Sequence, residues 1–343
     1  MRIIVLDYAR DIGGANTISE YFNRQVLEDK ENKWLWLTSN FDSFTGKNIK
    51  NLRVRQIKKS IFHRLYFEKL VLKKINNEFK PDLIISLQNF KASNFAGKQL
   101  IYVHQAIAFV DDNRKFSDSL FKELKFQMIK KKLKNDVKNS DYIIVQTDFM
   151  KNKIYELNKN VYKILPELFH EKAEIHKPCQ NFIYPTNSEK YKRFDLVIEV
   201  ARTLKNNKLK SNISITLGGE ETSYIKKIKD IIINESLPIH FIGKQDKQQL
   251  QELYRNNHLL FTSEIESLGL PLVEAMHYGC KILAFEQPFT CEVLNNYKDA
   301  YIFNENNILF QLNNCLKSND EVSGLNIQSE NILSFLKSKH IID

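Results

Sequence analysis

Residues 258–286, HLLFTSEIESLGLPLVEAMHYGCKILAFE, set two short apolar runs, HLLFTS and KILAFE, on either side of one helical stretch, 270–279. Runs of this length and apolar content suit strands buried on both faces, and a helix between two of them is the crossover that keeps them parallel. The stretch therefore predicts an α/β domain. Inside it, Glu266 and Glu274 are separated by seven residues, with Gly269 and Pro271 between them. Pro271 suits a first helical turn, where its missing N–H is not needed, and Gly269 permits a tight approach just before it. The helix is thus expected to begin near Leu270, with Glu266 in the preceding loop and Glu274 about one turn inside. Backbone N–H groups around Leu268 to Leu272 are then predicted to be unpaired, a seat for an anion such as a diphosphate.

The same alternation extends outward. Downstream of residue 181, FIYPT, ISITLGG, PIHFIG, HLLFTS, KILAFE and DAYIFN alternate with helical segments 190–206, 222–235, 246–256, 270–279, 289–296 and 305–317. Upstream, RIIVLD, WLWLTS, LRVRQI, DLIISL, LIYVHQ and DYIIVQT interleave with 14–29, 60–79, 116–139 and 148–158. Two parallel-sheet α/β domains in tandem follow, as 343 residues exceed what one core usually holds. The expected divisions are a first domain at 1–165, a proline-containing connector at 166–181 and a second domain at 182–325. A terminal helix in 326–343 is expected to pack back on the first domain.

With 43% apolar and 27% charged residues the composition is that of an ordinary globular protein, not a disordered one. No apolar run approaches the ~18 residues that cross a bilayer, and RIIVLDYARDIGG is broken by Asp7 and Arg10 before it can form a signal-peptide core. A cytosolic location is expected. Cys179, Cys280, Cys291 and Cys315 lie far apart with no CxxC, which fits neither a disulfide framework nor a zinc site. The net charge of +10 is uneven: residues 51–140 carry 20 Lys or Arg against 8 Asp or Glu, so that segment is +12 and the remainder −2. Such a field attracts nucleic acid or anionic lipid, or is a solvated basic face.

After the first run, DYARDIGGANTISEYF carries Gly13 and Gly14 into a helix, where an α/β sheet offers N–H groups to an anion. The dinucleotide fingerprint GxGxxG and the P-loop pattern are both absent, which disfavours an oxidoreductase. Gly13, Gly14 and Ala15 match a GGA turn in the retaining glycosyltransferases of family 4, which have the GT-B fold of two Rossmann-like domains facing across a cleft. FTSEIESLGLPLVEAMHYGCKILAF resembles that family's E-x7-E region, with Glu266 as the first glutamate and Glu274 as the second. The resemblance implies that Glu266 reaches the sugar ring and that the glycine turn lies over the donor diphosphate and sugar. Glu274 could accept from two ribose hydroxyls, or be a first-turn glutamate favoured by the helix dipole.

FIYPTNSEKYKRFDLVIEVA resembles the segment where an Arg and a Lys of the family grip the donor phosphates. Lys192 matches the Lys; the Arg position is empty, since the strand runs into Tyr184, Pro185 and Thr186. Lys190 and Arg193 are candidates to substitute. PIHFIGKQDKQQLQELYRNNHLLFTS resembles the segment whose main chain holds the base, here Phe241 to Lys244 with Gly243. Glu292 matches a further glutamate, read as a turn or helix-start residue. His104, at the end of the run LIYVHQ, matches a histidine that contacts the transferred sugar. Asp111 and Asp112 could serve the acceptor or belong to a solvated loop.

What the resemblance implies is transfer of a hexosyl group from a nucleotide-diphosphate sugar to a saccharide hydroxyl with retention. The acceptor would be lipid-linked, as in bacterial surface polysaccharide (O-antigen, capsule) synthesis. No D-x-D occurs in the chain, so no metal is expected; a helix N-terminus and Lys192 would take the leaving group's charge. FKELKFQMIKKKLKNDVKN, 121–139, intersperses Phe121, Leu124, Met128 and Leu133 with lysines. That pattern suits an anionic membrane surface, and equally a core-facing helix with a solvated lysine face. Rival readings are a nucleotide-sugar epimerase of the same architecture and a basic nucleic-acid-binding protein, for which no recognised motif is present.

Overall fold

The computed structural model describes residues 1–8, 14–39, 46–54, 57, 61–110, 120–166, 169, 180–219, 222–317 and 330–342. The chain divides into two compact units, one built on residues 1–112, 124–170 and 327–343, the other mainly on 171–326.

The first unit contains β1 (Arg2–Asp7), α1 (Gly14–Glu28), β2 (Lys33–Thr38), β3 (Ile49–Arg53) and α2 (Ile61–Tyr66). A π-turn (Phe67–Val71) continues α2 into α3 (Leu72–Phe79). Then come β4 (Leu83–Ser86), β5 (Lys98–Tyr102), α4 (Leu120–Lys138, in this unit from Leu124 on), β6 (Tyr142–Val145), α5 (Asp148–Tyr155) and β7 (Val161–Lys163). The strands form one parallel sheet in the order β3-β2-β1-β4-β5-β6-β7. Central strands such as LIIS in β4 are buried along their whole length, because helices cover both faces. Buried Asp7 ties the layers together by accepting from Ser19 Oγ at 2.5 Å and from Trp36 Nε1 at 3.1 Å.

The second unit runs β8 (Phe182–Tyr184), a 3₁₀ turn (Lys190–Lys192), α6 (Phe194–Asn206), β9 (Ile213–Ile215), α7 (Ser223–Asn234), β10 (Ile239–Phe241) and α8 (Lys247–Asn256). It continues with β11 (His258–Phe261), α9 (Leu270–His277), β12 (Ile282–Phe285), α10 (Pro288–Val293), β13 (Ala300–Phe303) and α11 (Ile308–Lys317). Its parallel sheet has the order β10-β9-β8-β11-β12-β13. The strand order reverses between β8 and β11, and loops leaving their C-terminal ends diverge to opposite sides, the usual place for a ligand. Thr222 caps α7, and Asp246 with Gln249 forms a capping box on α8.

The terminal helix α12 (Ile332–Ser338), capped by Asn331, belongs to the first unit. Ile332 N–H donates to Gln25 Oε1 at 2.7 Å, the Tyr21 hydroxyl donates to the Glu330 carbonyl at 2.5 Å, and Phe335 meets the Tyr162 ring edge-on at 5.3 Å.

Three elements differ from the sequence reading. The run LRVRQI gives a strand three residues early, at Ile49–Arg53, because this edge strand has only β2 to set its register, pairing Ile49 with Trp34 and Arg53 with Thr38. The helix expected at 60–79 carries the π-turn, and β7 is a strand of the first domain that the apolar runs did not predict, since VYK is only three residues long. Gly13, Asp111 and Asp112 lie outside the described residues, as does most of the connector.

Candidate active site

The second unit brings Lys192, Glu266 and the start of α9 together at the β8–β11 switch point. Lys192 ends the 3₁₀ turn that follows β8, and its carbonyl accepts from the Tyr184 phenol and lies 2.7 Å from Thr262 Oγ1. Tyr184 ends β8 and Thr262 follows β11, so the two strands that flank the reversal jointly fix the lysine's backbone. Tyr184 fills the place where the phosphate-gripping Arg was missed, and its role here is that of a strut. From this anchor, Lys192 Nζ reaches Glu266 Oε1 at 2.5 Å, with little of either side chain exposed. Ser263 Oγ donates to the same carboxylate oxygen at 2.9 Å. Glu266 thus has a cation and a hydroxyl holding one oxygen.

Gly269 caps α9 in the left-handed conformation, φ 73° and ψ 68°, with no side-chain cap. A Cβ there would lie 3.1 Å from both Leu272 Cδ1 and Phe261 Cζ, so glycine is required by conformation and by space. Pro271 occupies the first turn, as its missing N–H predicts. Among the described residues the N–H groups of Leu268, Gly269 and Leu270 have no hydrogen-bond partner in the protein. The expectation that Leu272 would also be unpaired is corrected: its N–H donates to Gly269 O at 2.8 Å, closing a tight first turn.

Glu274 sits one turn further along α9. Tyr254, buried in α8, donates its hydroxyl to Glu274 Oε2 at 2.8 Å. Burial pushes the Glu274 carboxyl up to about 7, opposed by the Tyr254 hydrogen bond and the positive charge of Lys247. Tyr254 in turn stacks on Tyr278 at 5.8 Å, and its carbonyl accepts from Cys280 Sγ at 3.0 Å. Sequence reasoning missed Tyr254 because it lies twenty positions from Glu274 on another helix. It also missed Ser263 as a partner for Glu266, although a serine three residues ahead of a loop glutamate is a local signal for such a bond.

Of the substitutes for the missing Arg, Arg193 is turned to other work. Its guanidinium forms a bidentate pair with Asp195, reaches Glu305 at 3.1 Å and covers the Phe285 ring at 5.4 Å. Lys190 Nζ lies 6.0 Å from the centre of the Tyr224 ring. Gly243 has φ 78° and begins the loop to α8, where Gln245 Nε2 donates to the carbonyls of Ile242 and Gly243. Lys244 N would be 2.5 Å from a Cβ on Gly218, which identifies Gly218 as a second glycine of the site region that the sequence reading passed over. Glu292 lies within α10, near its end. Among the described residues no group of three or more His, Cys, Asp or Glu could hold a metal ion.

Two predicted residues belong to the first unit. Gly14 begins α1. His104 lies two positions beyond the end of β5, where its backbone N–H donates to Asn89 Oδ1 at 2.8 Å and its Nε2 is 3.1 Å from Asn89 Nδ2. Burial lowers its pKa to about 4, so the ring is neutral near pH 7; accepting from Asn89 at Nε2 leaves the proton on Nδ1.

Residues 167–310 match the family model described as Glycosyl transferases group 1. An uncharacterized 41.2 kDa protein in the cps region of Klebsiella pneumoniae is 25% identical over 279 residues, covering 75% of this chain and 74% of its own length. Among solved structures, Anabaena Alr3699/HepE in complex with UDP and glucose superimposes with TM-score 0.68 at 13% identity, covering all of both chains. WaaG, a glycosyltransferase involved in lipopolysaccharide biosynthesis, gives TM-score 0.64 at 12% identity over 93% of this chain and 91% of its own. The two parallel α/β units have the GT-B fold of these solved structures, and residues 167–310 are similar to a glycosyl transferases group 1 domain.

Proposed function

We propose that this protein is a retaining glycosyltransferase that moves a sugar from a nucleotide-diphosphate sugar to a hydroxyl of a lipid-linked saccharide in bacterial surface polysaccharide synthesis. The observation that carries the reading is the Lys192–Glu266 pair beside the uncapped start of α9, at the switch point of a parallel sheet. A diphosphate is matched there by one ammonium and the open N–H groups of Leu268, Gly269 and Leu270. When the phosphates engage Lys192, Glu266 loses its cation and becomes available to the sugar. Glu274, held by Tyr254, accepts from the ribose hydroxyls, and the main chain at 241–244 holds the base. The family resemblance assigns His104, neutral near pH 7, a contact with the transferred sugar. The domain match, the cps-region relative and the WaaG likeness support this reading.

In the proposed step the bond between the anomeric carbon and the phosphate oxygen breaks as the acceptor oxygen bonds to that carbon from the same face. The acceptor proton passes to the departing phosphate oxygen, so no separate base is needed. Lys192 and the helix start take the developing negative charge, and Glu266 orients the sugar and eases positive charge on the ring. No metal enters this scheme, so turnover should be unchanged by EDTA. Glu266→Ala should lower transfer by about 10² to 10³-fold, the usual cost of removing one preorganised electrostatic group, while donor binding measured by calorimetry persists. Unchanged turnover in that variant, or conversion of the donor sugar without any acceptor, would overturn the proposal.

A further inference from the structure

Two neighbouring helices, α2 of the first unit and α4, which belongs to it from Leu124 on, turn large apolar side chains to solvent. On α2 and the π-turn, Phe62 is 81% exposed, Tyr66 62% and Leu70 58%, with Leu65 exposed beside them. On α4, Met128 is 74% exposed, and Leu124 and Phe121 are exposed on the same helix. The spacings, i, i+4, i+8 and i, i+3, i+7, each mark one helical face. These are not core faces, for Phe67 and Leu72 are buried from the first helix and Leu133 and Val137 from the second. The π-turn contributes by turning Phe67 and Glu68 inward, Glu68 to Arg64 Nε at 2.9 Å and Ser93 Oγ at 3.3 Å, while Leu70 stays outward.

Arg64 of α2 and Lys132 of α4 both cover the Phe90 ring, at 5.6 and 5.1 Å, so the two helices lie beside each other. Residues 61–79 carry four Lys or Arg against two Glu, and 120–138 carry seven Lys against one Glu and one Asp. The pair is therefore +7, with Lys69, Lys73, Lys125 and Lys131 exposed among the apolar side chains. A second copy of the chain docked through this face would bring +7 against +7. Nucleic acid would engage the lysines and leave Phe62, Leu70 and Met128 in water. An anionic bilayer accommodates both, with apolar tips at the acyl boundary and lysines among the headgroups.

We propose that α2, the π-turn and the N-terminal half of α4 form a docking surface for an anionic phospholipid bilayer. Its purpose, delivery of the enzyme to a lipid-linked acceptor, rests on the function proposed above; its evidence does not. The described helices include none long and apolar enough to cross a membrane, so the attachment is peripheral.

The test is co-sedimentation of the full chain with phosphatidylglycerol-rich vesicles and with pure phosphatidylcholine vesicles, at low and high salt. The wild type should bind the former, and high salt should release it. Phe62→Ser with Leu70→Ser should weaken partition at least about tenfold, and Lys69→Gln with Lys73→Gln should reduce the preference for anionic lipid, both with donor binding unchanged as evidence of folding. Equal partition to the two vesicle types, undiminished binding by the apolar variant, or a concentration-dependent dimer abolished by Phe62→Ser would each overturn the proposal. Vesicle binding without sugar transfer would sink only the enzymatic reading, and transfer to a soluble acceptor without vesicle binding only the docking surface.

Discussion

A carboxylate that accepts from ribose hydroxyls works best ionised, yet the surroundings of Glu274 raise its pKa to about 7. Desolvation is the largest cause, and neither the Tyr254 hydroxyl nor Lys247 fully offsets it. The sign for stability follows from linkage: the folded state holds this proton more tightly than the unfolded chain, whose glutamate titrates near 4.5. Folding is therefore penalised progressively as pH rises from about 4.5 to about 7, and the penalty is complete above that. For the proposed donor contact the sign is opposite, since a carboxylate that accepts from ribose hydroxyls does so in its ionised form. Affinity for a nucleotide-diphosphate sugar, whose phosphates do not titrate in this range, should rise about tenfold between pH 6 and pH 8, one decade per pKa unit below the midpoint. Glu274→Gln should flatten that profile and raise the melting temperature at pH 8. A wild-type profile already flat in calorimetric titrations would show that Glu274 does not meet the ribose as a carboxylate.

At the scale of elements, the site depends on how closely the loops after adjacent strands approach. Gly218, after β9, presses against the Lys244 backbone after β10, and a Cβ there would stand 2.5 Å from Lys244 N. The neighbouring Gly219 has φ 80° but open space around it. The two glycines therefore separate crowding from conformational strain. Gly218→Ala should displace the 242–245 loop, costing about 1–3 kcal/mol as an overpacking change and weakening donor binding. Gly219→Ala should cost about 1–2 kcal/mol from the left-handed conformation with little change in binding. Thermal melts and donor titrations of the two variants make the comparison; equal losses of binding would remove the loop contact as an explanation. The same contrast explains what was legible in the sequence. Gly269 and Pro271 announce the start of α9 because cap and first-turn chemistry are local, and the alternating apolar runs announce both parallel sheets. Gly218 against Lys244 and Tyr254 against Glu274 are meetings of distant segments, which no local periodicity marks. The π-turn was likewise hidden, since its residues keep an ordinary helical composition.

Over the whole molecule, the chain closes its first unit only with its last residues. Ile332, Leu333, Phe335, Leu336, Ile341 and Ile342 are all buried, and Gln25, Tyr21 and Tyr162 of the first unit receive them. The terminal helix was legible as an amphipathic segment, but its partner α1 was not, because over three hundred positions separate the contacting residues. At about 1.5–3 kcal/mol for each fully buried large apolar side chain, and with a discount for residual burial in the unfolded chain, the six contribute on the order of 10 kcal/mol. That matches the entire stability of a typical domain, about 5–15 kcal/mol, so the first unit should not fold without them. A chain ending before residue 327 should therefore lose the protease resistance of residues 1–166, while 182–317, whose core is built from its own strands and helices, stays resistant. The milder Leu336→Ala, a fully buried position, should cost about 2–5 kcal/mol and lower the melting transition of the first unit alone. Protection of 1–166 in the truncated chain would show that α12 is an accessory to a core that is already complete.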